Sequence, residues 1–173
     1  MATKTVSKEE LKSLYEKDFY KWIIENVEFL KNKEFDLVDW DNVIEELESM
    51  GRIELRSVIS FMAIILEHLY KWENFRENEN MGNSWVRSIL SSRNQIYDLF
   101  EESPSLKNKA KEEIELAWKS AVRRLINWFK YSENKHLANK YFGRKPTEKD
   151  FPEKCPYTFN QIIEYEPWEE KNV

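Results

Sequence analysis

The chain has 173 residues, 41% hydrophobic and 14% aromatic, which suits one sizeable core and excludes a disordered tail. Its 27 basic and 32 acidic side chains leave a net charge of −5, which argues against a chain basic throughout for coating nucleic acid. Only 3 Gly and 5 Pro leave little room for many hairpins, so long helices with few joints are expected.

The first predicted helix opens at Ser7 and Glu10, a capping-box spacing. Leu11, Leu14, Phe19, Trp22, Ile23, Val27 and Leu30 then return every three or four residues, as one buried face of a helix would. "KEFDLVDWDN" breaks the pattern, and Asp39 and Asp41 suit a helix start. The second helix runs from about Asp39 to Trp72, with a stripe of Ile44, Leu47, Gly51, Leu55, Val58, Met62, Ile65, Leu69 and Trp72. Gly51 lies on that stripe, and close packing against another helix is the expected reason for it. "ENFRENENMGNS" is a polar loop with Ser84 as a cap, and Trp85, Ile89, Ile96 and Phe100 mark the third helix. "ESPSL" is a boundary: Ser103 suits an N-cap and Pro104 a first helical position. Ala110, Ile114, Ala117, Trp118, Ala121, Leu125 and Phe129 mark the fourth helix. Beyond Tyr131 the pattern weakens until Thr158 and Gln161, which could cap a short last helix.

The resulting expectation is an all-α, antiparallel four-helix bundle with long helices and an irregular C-terminal wrap ending in a short helix. It is read as one domain over 1–173, with 1–6 a flexible tail and 132–157 an irregular return. The longest apolar run, Phe61 to Leu66, is too short to cross a bilayer. "MATKTVSKEE" lacks the apolar stretch of a secretion signal, and the lone Cys155 suggests a reducing compartment. A soluble cytoplasmic protein is expected.

Few residues look chemical. His68 sits in "ILEHLYKW" and lacks the Glu three residues earlier that a di-metal bundle uses, because Ile65 is there. A half-buried histidine donating one ring hydrogen bond outweighs a pH-sensitive or binding role. Glu133 and His136 have the Glu-x-x-His spacing but offer two ligands at best. Three glycines far apart exclude phosphate-cradling loops, and Pro156 beside Cys155 suggests a packing corner. Glu48 and Arg52, four apart, suit a helix ion pair. Charge is uneven: residues 1–50 sum to −6, residues 101–149 to +5 and the last 24 to −4. Between Lys119 and Lys149 nine basic residues face two Glu, with Trp128, Phe129, Tyr131, Tyr141 and Phe142 interleaved. Cations and stacking rings in that pattern are what unpaired nucleic acid needs.

"YEKDFYKW" (Tyr15–Trp22), "DNVIEELESMGR" (Asp41–Arg52), "HLYKW" (His68–Trp72), "SWVRSI" (Ser84–Ile89), "SPSL" (Ser103–Leu106) and "FPEKCPYTFNQI" (Phe151–Ile162) occur in order. Together, over about Tyr15 to Ile163, they resemble the bacterial domain of unknown function 29 family. The resemblance implies an all-helical bundle and no established activity, so no catalytic residues carry over. "NWFKYSENKHLANKYFGRKPTEKD" is longer than that family's usual segment, so a function resting on it would be peculiar to this chain.

With no catalytic constellation and seven Trp, the leading expectation is a non-enzymatic helical interaction module, with a protein partner or a homodimer, no cofactor and no membrane. The alternative is a nucleic-acid-associated or regulatory protein using the basic 119–149 stretch. The third is a bundle enzyme or metal site at His68 or at Glu133 and His136. Candidate binding residues are His68, Lys71, Trp72, Trp85, Arg93, Arg123 and Arg124, with no catalytic and no metal-binding residue assigned.

Overall fold

A computed structural model describes residues 6–169, and its regular structure there is entirely helical. The α-helices are α1 (Lys8–Lys17), α2 (Phe19–Asn32), α3 (Trp40–Asn74), α4 (Asn83–Glu102), α5 (Leu106–Glu112), α6 (Ile114–Trp128), α7 (Lys135–Phe142) and α8 (Phe159–Glu164). Short 3-10 turns lie at Phe35–Leu37, Ser132–Asn134 and Glu148–Asp150. The expected N-terminal tail lies, apart from Val6, outside the described residues; Val6 itself packs on a small apolar cluster.

The described residues gather into two compact units divided after residue 52. The physical reason is two separate apolar clusters. In the first unit Leu11, Trp22, Phe29 and Val38 are buried around a polar knot. Trp22 Nε1 donates to Asp39 Oδ2 (3.1 Å), Asn42 Nδ2 donates to the same oxygen (2.6 Å), and the Asp39 N–H donates to Asn26 Oδ1 (2.9 Å). Asp39 therefore turns its carboxylate inward instead of onto backbone N–H groups, and its Oδ1 is buried without a partner among the described residues.

The first predicted helix is in fact two. The Ser7–Glu10 capping box opens α1, but Asp18 ends it and caps α2, accepting from the Lys21 N–H at 3.1 Å. A side chain that satisfies a free N–H lets a new helix start at that residue. That one-residue corner re-phases the stripe. Trp22, Asn26 and Phe29 point into the unit, while Phe19, Ile23 and Val27 are exposed.

α3 is continuous through Gly51, and a Cβ there would meet nothing within 4 Å, so close packing does not explain that glycine. The apolar stripe of α3 is buried from Val58 through Met62, Ile65 and Leu69, and open at Ile44 and Leu47. The second unit's core joins those residues to Ile89 and Ile96 of α4, Trp118, Ala121 and Leu125 of α6, and Ile162 and Ile163 of α8. Phe75 is its aromatic hub, 5.0 Å from the Phe129 ring and 5.1 Å from Tyr141.

Three boundaries differ from expectation. Gly82, not Ser84, precedes α4, with Ser84 inside the first turn. Ser103 closes α4, and the predicted fourth helix divides at Glu113 into α5 and α6. The supposed irregular return contains α7, ended by Gly143 in a left-handed conformation that glycine adopts without strain. The Thr158–Gln161 capping box does open α8.

Candidate functional site

α3 places Glu67, His68 and Lys71 within one helical turn. Lys71 is 2% exposed, and its ammonium donates to Glu67 Oε1 on the same helix face. It also lies 4.6 Å from the Trp128 ring centre and 5.9 Å from that of Trp85, so two indoles surround the buried cation. Burial pulls the Lys71 pKa below its ordinary value, while Glu67 acts to hold the charge.

His68 differs from its neighbours. Its Nδ1 is buried without a hydrogen-bond partner among the described residues, so the expected ring hydrogen bond is missing there. Burial, then the charges of Lys71 and Arg124, hold the imidazole down at about 3. The ring is therefore neutral near pH 7.

The remaining candidates are dispersed. Trp72 stands edge-on to Trp168 at 6.0 Å with the Arg76 guanidinium 4.1 Å over its ring. Arg93 donates to the carbonyls of Ile162 (3.0 Å), Gln161 (3.3 Å) and Tyr165 (2.8 Å), gripping the end of α8 and the residue after it. Arg123 is exposed and Arg124 half-buried. Thus Lys71, Trp85, His68 and Arg124 share one neighbourhood, whereas Arg93 and Trp72 serve the C-terminal wrap.

The two supposed metal ligands, Glu133 and His136, do not meet. His136 Nε2 lies 3.3 Å from Glu77, which also takes Lys140 at 2.6 Å. Among the described residues no three His, Cys, Asp or Glu side chains gather to hold a metal ion. Cys155 is half-buried with its thiol pushed up to about 11 by burial, and it donates weakly to the Tyr157 carbonyl. A thiol held protonated is a poor nucleophile.

Sequence reasoning missed an exposed apolar surface on α2. Phe19, Ile23 and Val27 form one row along α2, four residues apart, and Tyr20 and Ile24 form the adjoining row. All five are exposed, by 36 to 74%. The available signal was that α2 is apolar on both sides: a helix that buries Trp22 and Phe29 on one face has no fold-internal need for five more large apolar residues on another.

A family model described as Domain of unknown function DUF29 matches residues 14–168. The chain belongs to this family. No curated protein and no solved structure matches it. The DUF29 match takes in α2 to α8, so the apolar rows of α2, the Lys71 neighbourhood and the basic stretch all lie inside it. Among the described residues no helix is long and apolar enough to cross a membrane.

Proposed function

We propose that this DUF29 protein is a non-enzymatic helical interaction module that associates with a second copy of itself through α2. The observation that carries the reading is the double row of exposed apolar side chains, Phe19, Tyr20, Ile23, Ile24 and Val27. An apolar face of this kind, rimmed by charge, marks an association surface. Charge favours a second copy as the occupant. Lys21 and Glu28 are seven residues, two turns, apart and so lie along the same edge of α2. In an antiparallel pair about a two-fold axis near Ile24, like edges meet and Lys21 of each copy faces Glu28 of the other. Within one chain Glu28 accepts from Lys31 at 3.1 Å, so the two lysines would share that carboxylate. A cytoplasmic setting fits the lone protonated thiol of Cys155.

A charge-reversal cycle on sedimentation tests this. Ile23→Lys abolishes the dimer while leaving the helical circular-dichroism signal unchanged. Lys21→Glu weakens it, and adding Glu28→Lys restores it. A dimer that survives Ile23→Lys, or a double variant no tighter than Lys21→Glu alone, contradicts the reading.

A further inference from the structure

The basic stretch 119–149 is sorted by the fold into neutralised cations and a residue of free ones. α7 does part of this sorting. His136 and Lys140 lie on the side of α7 that reaches Glu77. Arg144 is held in a fork by Asp150, at 2.8 and 2.9 Å. Lys135 and Asn139, four apart, lie together on another side of α7 with Ala138. There they meet Lys130 from the end of α6 and Lys145 from the following loop, around a concavity of about 430 Å³ floored by Phe129. Among the described residues no carboxylate lines it. Among the described residues Lys130 bonds only a neutral amide oxygen, Asn127 Oδ1 at 2.6 Å.

The loop that carries Lys145 is built rather than loose. Arg144 donates to the Lys145 carbonyl at 3.0 Å while it grips Asp150. Asp150 in turn accepts from the Thr147 N–H at 2.7 Å and from the Thr147 hydroxyl at 3.0 Å. Buried Pro146 confines Lys145 to extended backbone. These contacts spend the nearby acid on Arg144, and among the described residues the Lys145 ammonium at the concavity has no acidic partner.

We propose that this concavity binds the phosphate group of a compact organic phosphate. Three lysines converging without an acid suit a group of charge −2 or more better than a single carboxylate. Lysine ammoniums act as point charges toward phosphate, and the Asn139 amide can donate beside them. The apolar floor of Phe129 and Ala138 suits a small organic body of the size such pockets take. A nucleic-acid backbone is a poorer match, because the cations are gathered at one concavity instead of laid along a track, and Glu77 and Asp150 engage those to either side. The inference does not depend on self-association.

The test is calorimetric titration of the full chain at low salt with pyrophosphate, a nucleoside triphosphate and a short oligothymidylate. The nucleoside triphosphate is expected to bind and to weaken as salt rises. Lys135→Ala with Lys145→Ala, both exposed positions, reduces that affinity at least about tenfold. Lys140→Ala, on the Glu77 side of α7, leaves it within about twofold. Circular dichroism of each variant establishes that the fold is kept. Failure of pyrophosphate and the triphosphate alike to bind overturns the proposal. So does binding that the double variant retains, or an oligothymidylate that binds more tightly than the triphosphate.

Discussion

Gly82 shows how a single residue can be fixed by two constraints at once. Its φ of +109° is a conformation that side chains rarely adopt, and a Cβ there would meet the Trp72 ring at 2.7 Å. Gly82→Ala is expected to destabilise the second unit by about 1–3 kcal/mol from backbone strain alone. Urea unfolding followed by tryptophan fluorescence measures it, and a loss below about 0.5 kcal/mol would show that the loop relaxes freely. His68 makes a pH prediction. Its folded pKa of about 3 lies below the ordinary value of 6.5, so the unfolded chain takes the proton first. This contribution to stability is intact above pH 6.5 and declines as pH falls toward 3, by up to about 1.4 kcal/mol per pH unit. His68→Leu should flatten the acid side of a stability-against-pH curve; an unchanged slope would mean the ring is hydrated and free to protonate. The apolar setting of His68 is readable in "ILEHLYKW", but its missing partner is not. What surrounds Nδ1 depends on residues distant in sequence, such as Arg124 of α6, and short-range spacing carries no information about them.

At the scale of elements, legibility follows how local the deciding interaction is. The capping boxes at Ser7–Glu10 and Thr158–Gln161 each close within four residues, and both are readable from the chain. Asp18 is equally local, but the apolar residues on both sides of it keep helical spacing, so the corner hides inside a longer pattern. α7 is legible in hindsight from Leu137, Ala138, Tyr141 and Phe142 ahead of Gly143, a helix face with its stop signal. α3 provides the prediction at this scale. Gly51 is exposed, helical and free of contacts where a Cβ would stand. Gly51→Ala should therefore stabilise the chain by up to about 1 kcal/mol, read as a higher urea midpoint at unchanged slope. A destabilised variant would mean that something packs against Gly51 in solution.

For the whole molecule, composition and periodicity establish an all-helical chain, and the family match to DUF29 over residues 14–168 agrees with the segments that suggested it. The division after residue 52 leaves no mark in the sequence, because it falls inside an unbroken helical pattern with no shift in composition. The fate of the tryptophans was hidden for a similar reason. Trp22, Trp85 and Trp118 are buried, and Trp118 donates to the Pro152 carbonyl at 2.8 Å, so tryptophan content reports mainly on packing. The aliphatic and aromatic rows of α2 are exposed instead, and the proposed self-association rests on them. The most direct measurement is sedimentation equilibrium of the full chain at micromolar concentrations and moderate salt. Self-association through α2 predicts a species of twice the chain mass of 21.1 kDa, dissociating on dilution. A single species at the chain mass across the whole concentration range would contradict it.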